Sequence, residues 1–204
     1  MIAIVDYGVG NLFSLKSSFA AIGQQAFVTS KPEEILSASR IILPGVGAFG
    51  DAAQKLKALG LDKTLQTAAR RGTPLLGICL GMQLLFEESC EFGRHEGLGL
   101  IKGAVRPIGE VIPKDLKIPQ IGWNALEVVK PSPIFKYLKK DRHVYFVHSY
   151  HATGCCEALT AVTDYGAPLT AAVQAENVFG CQFHPEKSGP VGLGILRAFC
   201  EVKA

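Results

Sequence analysis

Cys79 lies in Gly77-Ile78-Cys79-Leu80-Gly81, a G-x-C-x-G pattern at the end of a short apolar run. It is the sulfur counterpart of the G-x-S-x-G elbow, where a nucleophile sits at a sharp turn from buried strand into helix. Glycines on both flanks permit the turn and let strand and helix approach closely. A thiol there projects above the carboxyl ends of the strands, where open α/β sheets carry their sites. The start of a helix favours thiolate over thiol, and the Leu80 amide points to where an oxyanion would form. The same five residues also suit a structural cysteine beside two helix-packing glycines.

A cysteine nucleophile needs a base, and the chain offers five histidines. His184 stands in Phe183-His184-Pro185-Glu186, at the end of an apolar run. In an extended segment, residues i and i+2 point the same way, so His184 and Glu186 share a side. The proline keeps the residue before it extended. Glu186 is then placed to orient the imidazole and stabilise its charged form, while His184 takes and returns the Cys79 proton. His95, His143, His148 and His151 lack a carboxylate two residues on. A third piece is Pro44-Gly45-Val46-Gly47, after another apolar run. Glycines on either side of Val46 predict peptide planes that turn over at low steric cost, as the second wall of an oxyanion site. An ordinary strand-to-helix turn has the same composition.

The elements that must position these residues read as alternating strands and helices. Strands are expected at 2–5, 26–29, 41–43 and 74–78. Helices are expected from Leu12 to a stop at Gly23, at 33–36, 52–59, 61–70 and 80–88. That alternation implies a parallel sheet with helices on both faces. Beyond about residue 100 the texture changes to prolines and antiparallel strands, at 144–147, 157–162, 169–173 and 178–183. A last helix starts near Ser188, read as its N-cap. One α/β domain over 1–204 with a mixed sheet is expected.

Composition narrows the function classes. Of 204 residues, 48% are hydrophobic and 19% charged, which excludes a disordered chain. A net charge of +3, with no Lys/Arg run beyond two, gives no reason to expect nucleic acid. The apolar run 75–86 falls short of the roughly 20 residues that span a bilayer, so no membrane partner is expected. The opening Met1-Ile2-Ala3-Ile4-Val5 has no basic start, and an export leader is not expected. The six cysteines have no C-x-x-C spacing, so they read as thiols in a reducing, cytoplasmic compartment.

GICLGMQ around Cys79, the later HPE and PGVGAF after the third strand together resemble the class I (triad) glutamine amidotransferases. DYGVGN, GMQLLFEES, IGWN, FVHSY and FHPEKS extend the likeness over essentially the whole chain. Within the family they are most similar to the branch that feeds ammonia to a separate (β/α)8 cyclase in histidine biosynthesis. The resemblance implies a flavodoxin-like fold, an open mixed, mostly parallel sheet flanked by helices. It implies hydrolysis of glutamine to glutamate and ammonia, with Cys79 as nucleophile, His184 as base and Glu186 as orienting carboxylate. Gly45, Val46, Gly47 and Leu80 match the oxyanion site. Gln83, Glu91, Ser149 and Tyr150 match substrate contacts, with Glu91 near the amino group. Asn11 and Lys187 match positions near the partner.

The resemblance implies no metal or organic cofactor. The cyclase, as a barrel of typically about 250 residues, must be another polypeptide, paired with this chain as a heterodimer. It makes imidazole glycerol phosphate and an aminoimidazole carboxamide ribotide. Other readings stay open at this stage. They are a glutaminase serving anthranilate or pyridoxal phosphate synthesis, a free-standing cysteine hydrolase of related fold, and a non-catalytic binding module.

Overall fold

The protein is described by a computed structural model covering residues 1–140 and 142–203. The first half runs β1 (Ile2–Val5), α1 (Leu12–Ala21), β2 (Ala26–Thr29), α2 (Pro32–Ser37), β3 (Arg40–Leu43), α3 (Phe49–Ala58), α4 (Leu61–Arg70) and β4 (Leu75–Ile78). A one-turn α5 (Leu80–Gln83) leads to β5 (Phe86–Ser89), β6 (His95–Glu96) and β7 (Ile101–Pro107). Then come β8 (Gln120–Ala125), β9 (Glu127–Val128), β10 (His143–His148), β11 (Tyr150–Thr153) and β12 (Leu159–Asp164). β13 (Pro168–Ala175), β14 (Val178–Cys181) and α6 (Gly189–Cys200) close the chain.

The main sheet has eight strands in the order β2-β1-β3-β4-β14-β13-β12-β9. The pairings from β2 to β14 are parallel and those from β14 to β9 antiparallel. This is the mixed, helix-flanked sheet expected from the sequence. Strands β1 and β4 are buried on both faces, which is why they read as unbroken apolar runs. Alternate residues feed two cores. Ala3, Val5, Leu43 and Phe49 pack with α2, α3 and α4 on one side. Ile2, Ile4, Ile78 and Phe179 pack with Leu15 and Phe19 of α1 and Leu196 and Phe199 of α6 on the other.

The fold departs from the sequence reading in three places. The helix expected at 80–88 is a single turn, and Phe86–Ser89 is a strand paired in parallel with β7. The reason is competition for carbonyls. Leu84 O accepts Leu98 N–H at 2.8 Å and Leu85 O accepts Ile101 N–H at 3.0 Å, so neither is left to continue the helix. Second, two small sheets lie outside the main one, an antiparallel β8–β10 pair and a four-stranded β11-β7-β5-β6 sheet. Third, Ser188 occupies the N-cap of α6 but makes no side-chain cap bond. Its hydroxyl is engaged elsewhere, as described next.

Candidate active site

Three neighbouring strands of the main sheet deliver the site. β3 leads into Pro44–Gly47, β4 leads into Cys79, and His184 follows β14. Register brings them together: Leu43 faces Gly77 across β3–β4, and Cys181 faces Ile78 across β4–β14. All three ends lie on the carboxyl edge of the parallel strands.

Cys79 holds φ +56° and ψ −114°, a region that costs a non-glycine residue about 1–3 kcal/mol. Its N–H donates to Cys181 O at 2.7 Å, which ties the elbow to β14. Both flanking glycines are required by contact. A Cβ on Gly77 would stand 2.6 Å from Gly81 O, and one on Gly81 would overlap the Leu43 carbonyl. α5 is only one turn long, so the helix start expected at Cys79 is that of a single turn rather than of a long helix.

His184 Nδ1 lies 2.8 Å from Glu186 Oε1, with both side chains buried. The pairing is as expected, but the route differs. Pro185–Lys187 forms a 3-10 turn, so the carboxylate folds back to the ring instead of lying beside it on an extended strand. His184 N–H donates to Tyr145 O at 2.9 Å, and Ser188 Oγ donates to His184 O at 2.6 Å. The buried Nε2 has no hydrogen bond of in-line geometry among the described residues. Burial acts most strongly, disfavouring the charged ring. The nearby Cys79 thiol and the Glu186 carboxylate outweigh it and push His184 up to about 9. The protonated ring is thus favoured beside Cys79, as the charged partner a thiolate nucleophile needs.

Cys79, Leu80, Val46, Gly47, Gln83, Glu91, Ser149, Tyr150 and His184 line one cavity of about 330 Å³. Eight of the sequence-predicted site residues therefore join Cys79 there. Glu186 stands behind His184. Gly45 is the exception, and the expectation that it turns freely is corrected. It is buried, and a Cβ on it would meet Tyr7 Oη at 2.7 Å and Gly81 N at 2.8 Å. Gly47 keeps the expected freedom, with φ +93° and open space around it. Asn11 caps α1 by accepting Ser14 N–H at 3.3 Å. Lys187 is exposed, with its Nζ 5.4 Å from the centre of the Tyr145 ring.

Several contributors were not legible in the sequence. Gln182 is fully buried. Its Oε1 accepts Gln83 Nε2–H at 3.1 Å, and its own Nε2 stands 3.9 Å from Cys79 Sγ. Gln83 Nε2 also donates to Tyr150 O at 3.1 Å. Tyr7 donates its hydroxyl to Pro44 O at 2.7 Å. Burial, then the nearby Cys79, push that phenol upward, so it stays a donor. His148 Nδ1 lies 2.8 Å from Tyr150 O and its Nε2 lies 3.0 Å from the Gln120 carboxamide, and burial pushes the ring down to about 4. Pro119 and Val147 supply apolar wall. Only the DYG and FVHSY segments carried any signal of these.

Fold and site define a class I glutamine amidotransferase. The sequence pattern of the glutamine amidotransferase class-I family matches residues 3–201, and the chain belongs to that family. Full-length relatives narrow the assignment. A Wolinella succinogenes protein is 46% identical, over 99% of this chain and 100% of its own length. A Bacillus subtilis protein is 48% identical, over 100% of this chain and 97% of its own. Both are called imidazole glycerol phosphate synthase subunit HisH, and at that identity the chain belongs to the HisH branch. Among solved structures, a glutamine amidotransferase superposes with TM-score 0.77 at 20% identity, covering 98% of each chain. The PurLQS structure from Thermotoga maritima gives 0.74 at 19%, over 98% of this chain and 96% of that one. At such identities the likeness is one of fold.

Proposed function

We propose that the chain hydrolyses glutamine for an imidazole glycerol phosphate synthase and passes the ammonia to a separate (β/α)8 cyclase subunit in a heterodimer. The observation that carries this reading is the convergence of Cys79, the Gly47 turn and the His184–Glu186 pair on one cavity. The names of the HisH relatives support the synthase, and with it a role in histidine biosynthesis.

The Cys79 thiolate attacks the side-chain carboxamide carbon of glutamine. The oxyanion accepts hydrogen bonds from Leu80 N–H and from the Gly45–Gly47 segment. The His184 imidazolium gives its proton to the amide nitrogen as the C–N bond breaks, and ammonia leaves. Neutral His184 then takes a proton from water as its oxygen attacks the thioester; the C–S bond breaks, the new acid loses its proton to solvent as glutamate, and the thiolate–imidazolium pair is restored. Glu186 stabilises the charged ring throughout. Glu91 receives the substrate ammonium, Gln83, Ser149 and Tyr150 hold the rest of the substrate, and no cofactor is needed.

Exposed Ile118, Ile121 and Trp123, with Lys187 over Tyr145, support docking of the cyclase at the cavity mouth, with Asn11 at the same interface. Ile121 faces the cavity-lining Val147 across β8–β10. Six cysteines, all free, support a reducing, cytoplasmic setting.

The test is Cys79→Ala. It should abolish glutamate formation while cyclase binding persists, and ammonium salts should still sustain product formation by the complex. Glutamine hydrolysis at the wild-type rate in this variant would overturn the assignment.

A further inference from the structure

Glu91 touches two things at once. It lines the cavity that holds Cys79, and its Oε2 accepts the backbone N–H of Phe49 at 2.6 Å. Phe49 is the first residue of α3, and its N–H has no partner within its own helix. The usual remedy is a side chain at the N-cap, but that position is Ala48, which makes no such bond. The cap is supplied instead from the loop after β5, far away in sequence. Glu91 is itself held in place. Its N–H donates to Ser89 Oγ at 3.2 Å, and Ser89 is buried at the end of β5. Its Oε1 has no protein partner among the described residues.

The location of this cap matters because α3 begins two residues after Gly47. The turn between β3 and α3 carries the oxyanion segment. Its first end is fixed: Leu43 pairs with Gly77, Tyr7 bonds Pro44 O, and Gly45 is packed against Tyr7 and Gly81. Its far end is Phe49, whose ring is fully buried and whose amide is bonded to Glu91. Between these anchors only Val46, Gly47 and Ala48 are left to move. Losing the cap would let the first turn of α3 fray and lengthen the mobile stretch just where donor placement governs rate.

We propose that Glu91 is a positioning residue: through the Phe49 N–H it fixes where the Val46–Gly47 peptides stand at the oxyanion site, besides facing substrate with its other oxygen. This rests on the glutaminase reading above. One carboxylate therefore joins substrate recognition to the geometry of the oxyanion segment, and a substrate ammonium on Oε1 would bear on the same group that caps α3.

The two roles separate with a substrate lacking the ammonium, 4-carbamoylbutanoate, assayed on the complex with the cyclase. A group that only binds the ammonium is irrelevant to that compound. Glu91→Ala should still lower kcat on it about 10- to 100-fold, the scale of a misplaced or lost oxyanion donor. Glu91→Gln keeps an acceptor oxygen for Phe49 and should rescue most of that kcat, while raising KM for glutamine. Glu91→Asp keeps the charge but falls short of Phe49, so it should behave like the alanine variant on the analogue. It also serves if Glu91→Ala does not fold. Turnover of 4-carbamoylbutanoate at the wild-type kcat by Glu91→Ala or Glu91→Asp overturns the positioning role and leaves the glutaminase reading intact. A wild-type complex that hydrolyses neither amide overturns both.

Discussion

The hydroxyl of Ser188 donates to the backbone carbonyl of His184 at 2.6 Å, closing the turn that carries the imidazole. The same oxygen accepts Tyr145 N–H at 2.9 Å, and Tyr145 O accepts His184 N–H at 2.9 Å. His184 is therefore held by its backbone to β10 as well as by its ring to Glu186. Ser188→Ala would leave Tyr145 N–H without that partner, while His184 O keeps Lys187 N–H at 3.0 Å, at a cost of about 1–3 kcal/mol. We expect a lower melting temperature and a several-fold lower kcat with KM nearly unchanged. A variant with wild-type kcat would show that the clamp does not position the base.

Thiol chemistry should single out Cys79. Burial pushes Cys181 and Cys155 upward and Cys200 up to about 11, which suppresses their thiolates. A glutamine-like electrophile should label Cys79 first, with protection by free glutamine. Mass spectrometry that found Cys90 or Cys156 modified first, and unprotected, would contradict the site.

Two histidines shape the pH dependence of stability in opposite directions. His184 is raised from 6.5 to about 9, burial being outweighed by Cys79 and Glu186, so the native state holds its proton more tightly. Its contribution is full below 6.5 and is lost as pH rises through about 9. His148 is lowered from 6.5 to about 4 by burial, so its contribution is present above 6.5 and lost as pH falls through about 4. Melting temperatures across pH 4–10 should decline on both sides of neutrality. In Glu186→Gln the alkaline decline should begin at lower pH. An unchanged alkaline limb would mean that Glu186 does not support the imidazolium.

Regulation should reside at Gly47. The isolated chain is expected to hydrolyse glutamine slowly, if its Gly47 turn rests with a carbonyl toward the oxyanion, and docking of the proposed cyclase with its ligand bound should favour the orientation that presents an N–H. One missing oxyanion donor costs about 100- to 1000-fold. Gly47→Val has room but carries a β-branched residue at φ +93°, so it should blunt activation without preventing assembly. Gly45→Ala should instead damage folding, because its Cβ meets Tyr7 and Gly81. Equal rates for wild-type chain alone, with cyclase, and with cyclase plus ligand would sink this scheme.

Trp123 is 63% exposed and packs edge-on against Tyr145 at 4.9 Å. An exposed tryptophan in such a setting is a common anchor for a partner. Trp123→Ala should weaken cyclase binding by about 10- to 100-fold in titration calorimetry. Unchanged affinity would move the interface away from the β8–β10 face.

The parallel half of the sheet was legible because strands buried on both sides, such as Ile2–Val5, cannot alternate polar and apolar residues. Cys79 was legible because its two glycines answer to backbone contacts that any side chain would break. His184 and Glu186 were found by a spacing argument that the 3-10 turn satisfies in a different way. What stayed hidden depends on residues far apart in sequence. No local pattern tells that Gln182 joins Gln83 to Cys79, that Glu91 caps α3, or that Leu98 and Ile101 take the carbonyls that would have prolonged α5. Gly45 and Gly47 look alike in sequence, and only their neighbours tell the packed one from the free one.

β14 enters the sheet between β4 and β13, although the chain makes it after both. During vectorial synthesis the ribosome delivers Cys79 long before the strand that must fill that slot, and before His184 behind it. Until then the elbow has no Cys181 carbonyl to hold its amide and no base for its thiol. A nascent or truncated chain ending before β14 therefore has neither the Cys181 carbonyl nor His184, and on the proposed mechanism it hydrolyses no glutamine.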